Sequence, residues 1–263
     1  MDTQQLEIYL QSKYASYVVN GTGKNSDLVF FLRDPVVCPR GRKMRYRVQN
    51  FIFPLSFYLV DDNNNSLVID STTYTLTNGN YTASTLRDLL DGILPETYTV
   101  TYSTTTNKYT FSNTSGDFTI SSASTCLILL GFTEDEDHTS SSNSLTSDSV
   151  ANLTGQYNCV YIQISNLTTS NIGVDGAKTT VCKSIPVSET LGSIMYYQDN
   201  TAVYSNIFNE SVSFLHIRIL AEDMRTPVDF QGQQWNMCLE FSFLKDENAD
   251  VTFSDVVNQI RNP

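Results

Sequence analysis

The stretch Trp235-Asn-Met-Cys-Leu-Glu-Phe-Ser-Phe243 decides the fold class, because its side chains alternate without a break. Large apolar residues occupy every second position, and small or polar residues fall between them. Successive side chains of a β-strand point to opposite faces, so this pattern predicts a strand with one face in a core. Abundant Tyr, Phe, Thr, Ser and Asn extend the strand and turn character to the whole chain. We therefore predict an all-β protein.

Strand patterns also occur well before this stretch. The first is apolar on both faces, which favours a central strand, and the others alternate or are short apolar runs. They cover residues 28–32, 43–49, 51–60, 67–69, 160–164, 194–197 and 212–220. A count of about eight strands with long-range returns fits a two-sheet β-sandwich of the single jelly-roll kind.

A different pattern interrupts these strands in the middle of the chain. Ala83, Leu86, Leu90 and Ile93 follow helical spacing behind a candidate N-cap, Thr82. Three alternating strands come next, and a Ser-rich acidic stretch at 134–149 is predicted to be a mobile surface loop. We therefore predict a small α+β unit inserted into the jelly roll.

These patterns give the following predicted organisation. The parts are an N-terminal arm at 1–25, a discontinuous jelly-roll sandwich at 26–70 and 156–246, an inserted αβ knob domain at 71–155, and a C-terminal tail at 247–263.

Charge and cysteine content narrow the class of protein. A net charge of -12 argues against nonspecific nucleic-acid binding by the whole surface and leaves at most a local contact. Five widely spaced cysteines without a CxxC pair argue against a disulfide framework or a zinc site. The first residues lack a signal-peptide pattern, and apolar runs are too short to span a membrane. We expect synthesis in the cytoplasm with reduced thiols.

Motifs for catalysis or metal binding are missing from the sequence. Its two histidines, His138 and His216, are predicted to lie in the acidic loop and on an outward strand face. The turn Asp61-Asp62-Asn63-Asn64-Asn65-Ser66 alternates like a calcium loop but lacks the required Gly and the bidentate Glu, which favours a plain turn. We predict no enzymatic activity, no catalytic or metal-binding residues and no cofactor.

One basic cluster stands out in this acidic chain. It contains five of the 16 basic residues, namely Arg40, Arg42, Lys43, Arg45 and Arg47. Alternation places the last three on one strand face, opposite Met44, Tyr46 and Val48. We call the five residues the basic stripe. They indicate a solvated strand face, a docking surface for an acidic neighbouring subunit, or a surface near nucleic acid.

Several short phrases resemble one group of virion proteins. They are Phe51-Ile-Phe-Pro-Leu-Ser-Phe-Tyr58, the Asn-rich turn before Leu67, Leu76-Thr-Asn-Gly-Asn-Tyr81, Tyr109-Thr-Phe-Ser112 and Leu129-Leu-Gly-Phe132. Over residues 26–165 the chain resembles the penton, or minor capsid, proteins of virophages and Polinton-type viruses, which are tailless icosahedral double-stranded DNA viruses.

This resemblance implies a virion protein that forms a homopentamer at each capsid vertex, surrounded by trimers of a double jelly-roll major capsid protein. The insert would then be an outward knob that can contact a host receptor. A closed ring repeats one heterologous contact around its axis. Candidate apolar positions for this contact are Tyr161, Val212 and Phe214, which alternation places on outward strand faces. The alternative is that a bulge returns Val212 and Phe214 to the core. The arm at 1–25 is a candidate tether to the major capsid protein, so its deletion should leave a folded pentamer that fails to join capsids.

Other interpretations of the same sequence stay open at this point. A receptor-binding spike or fibre-like protein would favour a trimer and place its function in the loop at 134–149. A lectin-like sandwich would need aromatic residues at one loop end, whereas the alternation places Trp235, the one tryptophan, in the core. A non-vertex minor capsid protein of the shell's faces is the third alternative.

Overall fold

The structure is a computed structural model that describes residues 4–19, 25–153, 157–167, 171–172 and 178–245. The chain divides into two compact units. The first unit combines Met1–Phe57 with Tyr157–Pro263, and the second unit is Tyr58–Gln156. The second unit begins earlier than the predicted insert at 71–155, because the strand that follows the turn at 61–65 pairs with later strands of that unit.

In chain order, the described elements are β1 (Gln4–Gln11), a 3-10 turn (Ser12–Tyr14), β2 (Tyr17–Val18), β3 (Asp27–Val37), β4 (Arg42–Pro54), β5 (Ser66–Ile69), β6 (Thr72–Thr75), α1 (Ala83–Ile93), β7 (Tyr98–Ser103), β8 (Lys108–Asn113), β9 (Thr119–Ile120), α2 (Leu127–Leu130), β10 (His138–Thr139), β11 (Ser144–Thr146), β12 (Cys159–Ile164), β13 (Asn171–Ile172), β14 (Lys178–Thr179), β15 (Val181–Pro186), β16 (Ile194–Gln198), β17 (Ser205–Ile207), β18 (Ser211–Leu220) and β19 (Asn236–Lys245).

The first unit is an antiparallel two-sheet sandwich with jelly-roll strand order. One sheet runs β1-β19-β4-β16, with β17 also paired to β4, and the other runs β15-β12-β18-β3-β2. Eight principal strands form the two sheets, and in chain order they are β1, β3, β4, β12, β15, β16, β18 and β19. When these strands are counted from one to eight, the order in the first sheet is first, eighth, third, sixth. The second sheet reads second, seventh, fourth, fifth, which is the jelly-roll arrangement. The all-β jelly-roll prediction is confirmed, and the second unit interrupts the connection between β4 and β12.

The core of the sandwich lies between the two sheets and is rich in aromatic side chains. Trp235 is fully buried, with its ring edge-on to Phe30 and Phe51 at centroid distances of 6.0 and 5.6 Å. The inward residues of β19 and β4 are buried as their alternation predicts. Burial of each such side chain contributes about 1.5–3 kcal/mol, so this layer dominates the stability of the unit.

Two expectations for the N-terminal third differ from the structure. Residues 4–11 do not form a free arm, because β1 pairs along its whole length with β19 of the same chain, from Gln4 opposite Phe243 to Gln11 opposite Asn236. The strand β3, expected to be central, has only the two residues of β2 on its outer side. Phe31 on this strand is 67% exposed.

The second unit contains two small sheets, β10-β9-β5-β6 and β11-β8-β7, and the helices α1 and α2. The predicted helix begins at its predicted cap. The Thr82 hydroxyl accepts from the Thr85 backbone N–H, and the Thr85 hydroxyl accepts from the Thr82 N–H. The stretch 134–149 is not a free loop, because it contributes β10 and β11 to the sheets. The C-terminal tail at 247–263 and residues 1–3 and 20–24 of the predicted arm lie outside the described residues.

Candidate subunit-contact surfaces

The basic stripe lies on β4 and the turn before it. Lys43, Arg45 and Arg47 alternate with the buried residues of β4 and lie on the face away from the core, whereas Arg42 shares the strand phase of the buried Met44. Arg47 donates to Glu240 Oε2 at 2.6 Å, and the Arg45 guanidinium lies 3.9 Å from the centroid of the Tyr204 ring. Arg42 donates to the Phe243 carbonyl. Arg40 and Lys43 are exposed. The subunit thus uses Arg42, Arg45 and Arg47 in its own contacts, and docking of the stripe on a neighbour stays a prediction.

Glu240 is the hub of a polar cluster that covers this face. Its carboxylate is only 3% exposed and accepts from Arg47, from Gln5 on β1 and from the Tyr204 hydroxyl. Partial burial by itself lowers the pKa of Arg47, but its hydrogen bond to Glu240 and the negative charge of Glu240 outweigh burial and raise the pKa. The cluster therefore holds β1, β19 and β4 together through charge-assisted hydrogen bonds.

A second carboxylate, Asp199, lies between two cations. Its Oδ1 is 3.3 Å from Lys183 Nζ, and its Oδ2 is 3.8 Å from Arg47 Nη1. Thr201 donates to Oδ1 from both its backbone N–H and its hydroxyl. Burial by itself raises the pKa of Asp199, but the Thr201 hydrogen bonds and Lys183 outweigh it, so the pKa lies below the ordinary value of 3.8.

This shift predicts a stability contribution that acid removes. A carboxylate whose pKa is lower in the folded state contributes its full stabilisation of the fold above its unfolded pKa of about 3.9. This contribution is lost as the pH falls through the folded pKa. We expect Asp199→Asn to lower the melting temperature at pH 6, and the difference from wild type to shrink between pH 5 and pH 3. Thermal melts at these pH values measure it, and the other carboxylates cancel in the comparison. A difference that does not change with pH would contradict this assignment.

The three predicted ring-interface residues lie in three different environments. Val212 is 2% exposed in the sandwich core, so the outward position is wrong for Val212 and the alternative position in the core is confirmed. The pairing of β18 with β3 shifts between Val212 and Phe214, and this bulge separates the two side chains. Phe214 is 37% exposed, with its ring centroid 6.3 Å from that of Phe31. Tyr161 is half-buried on the outer face of β12.

A larger apolar surface lies where β1 and β3 border the open side of the sandwich. Residues of both strands line a groove of about 850 Å³. Leu6, Tyr9, Tyr14 and Phe31 line this groove, Phe214 lies beside Phe31, and Tyr17 lies on β2, which pairs with β3. These six side chains are 37–72% exposed, and we call them the β1–β3 flank. The alternation of Leu6, Ile8 and Leu10 was the sequence signal that could have shown a strand here.

A second exposed apolar surface follows the edge of the first sheet opposite β1. Ile194 and Tyr196 on β16 are 70% and 57% exposed, and Val203 and Phe208 on either side of β17 are 68% and 70% exposed. We call these four residues the β16 flank. Sequence reasoning missed this surface, because a single strand pattern does not show which strand lies at the edge of a sheet.

Both histidines occupy structural positions. His138 is buried rather than solvated, since Nε2 lies 2.9 Å from the Thr133 carbonyl oxygen and Nδ1 lies 3.2 Å from Asp148 Oδ2. His216 Nε2 lies 2.6 Å from Asp27 Oδ1, and this contact connects β18 to β3. Each ring therefore joins neighbouring segments of its own unit.

The cysteine thiols and the Asn-rich turn at 61–65 have the surroundings of structural residues. All five cysteines are free. Burial raises the pKa of the Cys126 and Cys182 thiols to about 12, so both stay protonated and weakly nucleophilic at neutral pH. In the turn at 61–65, Asp61 accepts from the Asn63 N–H, as in an ordinary Asx turn.

The described residues offer neither a metal cluster nor a membrane-spanning helix. Within the described ranges, His, Cys, Asp and Glu side chains form no group of three or more that could hold a metal ion. In the same part of the chain, no helix is long and apolar enough to cross a bilayer.

The fold defines this chain as a jelly-roll protein with a large insertion between its third and fourth principal strands. Among solved structures it is similar to the mavirus penton protein, with a TM-score of 0.52 and 11% sequence identity, over 92% of this chain and 99% of that one. No protein-family model matches the sequence, and no curated protein matches it either. The likeness to this solved structure is therefore one of fold.

Proposed function

We propose that this chain is a viral capsid protein of the vertex, or penton, type, which assembles as a homopentamer among trimers of a major capsid protein. The observation that carries the proposal is the jelly-roll fold, together with a likeness to the mavirus penton protein over nearly the full length of both chains. The short sequence phrases between Phe51 and Phe132 support the same class of protein independently of the fold.

Exposed apolar surface on the first unit supports a role in assembly. Monomeric soluble proteins rarely expose large contiguous apolar patches, and such patches mark contact sites. The β1–β3 flank and the β16 flank leave ten large apolar side chains exposed. The proposed partners are further copies of this chain, the major capsid protein and, through the second unit, a host receptor. The proposed location is the virion, after assembly in the host cytoplasm.

The oligomeric state tests this function directly. We expect the purified full chain to elute as a pentamer at micromolar or higher concentration, because a vertex protein must repeat one contact around a five-fold axis. Light scattering behind a sizing column measures the mass. A trimer would contradict the vertex assignment and favour the receptor-binding spike, and a protein that stays monomeric at high concentration would contradict self-assembly.

A further inference from the structure

The β1–β3 flank offers enough apolar area for a stable subunit contact. Five of its six side chains are aromatic, and a fully buried aromatic side chain contributes about 150–250 Å². At the observed exposures the six side chains present roughly 600 Å² of surface. The largest apolar patch on a typical monomer is about 300–600 Å², and a standard interface needs about 800 Å² from each partner. The flank thus supplies most of one side of such an interface.

Leu6 and Tyr9 of the β1–β3 flank lie on β1, at one edge of the first sheet, and the β16 flank lies at the other edge of that sheet. In the order β1-β19-β4-β16, the strands β1 and β16 form opposite edges. The two flanks contain different residues, so neither is a copy of the other. Two different apolar surfaces on opposite edges are what a head-to-tail contact requires, whereas a two-fold contact uses one self-complementary patch.

We propose that the β1–β3 flank of one subunit docks on the β16 flank of a second copy of this chain. This proposal rests on the proposed self-assembly and adds which two surfaces meet. Phe31 with Phe214 on one side, and Ile194 with Tyr196 on the other, form the centre of the contact. Aromatic side chains at the centre of an interface commonly dominate its binding energy. Repetition of this single contact closes the ring.

Charged substitutions at the two flanks test the contact. Phe31→Glu alters the β1–β3 flank, and Ile194→Glu alters the β16 flank; both side chains are at least 67% exposed, so the fold of the subunit should survive. We expect each variant to weaken association by about 30-fold or more and to run as a monomer where wild type is a pentamer. Val150→Glu in the second unit, 59% exposed, is the matched control and should assemble normally.

Mixing the two variants gives the sharper result. Phe31→Glu protein keeps an intact β16 flank, and Ile194→Glu protein keeps an intact β1–β3 flank. An equimolar mixture should therefore form one-to-one dimers that cannot close into a ring, visible by native mass spectrometry. Each variant alone should stay monomeric, with circular dichroism and a cooperative melt like those of wild type.

The outcomes separate this proposal from the proposed function. A pentameric wild type whose flank variants also stay pentameric overturns the flank contact and leaves the vertex function standing. A mixture that stays monomeric, although each variant is folded, likewise overturns the contact. A trimeric wild type that both variants dissociate supports the contact and overturns the pentamer. If Phe31→Glu fails to fold, Tyr17→Glu replaces it on the same flank.

Discussion

Deletion of residues 1–11 is expected to prevent the first unit from folding. The strand β1 is the first principal strand of the jelly roll, and all eight of its residues pair with β19. Its removal exposes the edge of β19 and removes the hydrogen bond that the Gln5 side chain donates to Glu240. A ladder hydrogen bond contributes about 0.5–1.5 kcal/mol, so the loss approaches the whole stability of about 5–15 kcal/mol that is typical of a domain.

Soluble yield, circular dichroism and thermal melting measure this effect. We expect the deletion variant to be insoluble, or to lack the cooperative transition of the sandwich. The tether hypothesis gave the opposite expectation, namely a folded pentamer that fails to join capsids. A truncated protein that melts within a few degrees of wild type would therefore restore the free arm and contradict the pairing of β1 with β19.

Two point variants on β1 provide a matched comparison. Leu10 is 5% exposed, and Leu6 on the same face is 43% exposed. Leu10→Ala should lower the free energy of unfolding by about 2–5 kcal/mol, and Leu6→Ala by about 1 kcal/mol or less. Urea titrations of both variants measure this contrast. In a free arm, neither substitution would change stability.

The N-terminal strand illustrates where the sequence stops being informative. Leu6, Ile8 and Leu10 alternate, but the polar residues around them lowered the strand signal below that of β19. The strand becomes recognisable only through its partner, which lies more than 220 residues away along the chain. Local periodicity reports a strand, whereas the choice of partner depends on the whole core.

In contrast, strong local patterns were sufficient to predict several elements from the sequence. The inward faces of β4 and β19 followed from period-two alternation, and α1 followed from helical spacing with Thr82 as its cap. These elements carry their signal in neighbouring residues. Alternation alone could not decide the face of Val212, because the pairing shifts between Val212 and Phe214 and one extra residue reverses the faces on its two sides.

Glu240 shows a second limit, which concerns charge. Its position on the polar face of β19 correctly placed it away from the core, and a polar face suggests solvent. Arg47, Tyr204 and Gln5 cover it instead, so that its side chain is 3% exposed. These partners come from three distant segments, and the sequence held no sign that they would meet.

Substitution of Glu240 by Ala is expected to be strongly destabilising for this reason. The change removes the carboxylate 2.6 Å from the Arg47 guanidinium, which is 14% exposed, and leaves it with the more distant Asp199 carboxylate at 3.8 Å. Removal of one partner of a buried ion pair costs about 3–5 kcal/mol, because the remaining charge stays desolvated. Chemical denaturation of the full chain measures the loss. Glu7→Ala on the neighbouring strand, where the carboxylate is exposed, is the control and should melt close to wild type.

The double variant Arg47→Met with Glu240→Leu separates two explanations of this loss. Either the intact ion pair itself stabilises the fold, or the loss arises only because one charge is left without its partner. If the cost of Glu240→Ala comes mainly from a stranded guanidinium, replacement of both groups by apolar side chains should recover more than half of the lost stability. If the double variant is as unstable as Glu240→Ala, the hydrogen bonds from Gln5 and Tyr204 to Glu240 carry the effect. In that case the carboxylate is needed to join β1 to the sheet, which would make the polar face as important to the jelly roll as its aromatic core.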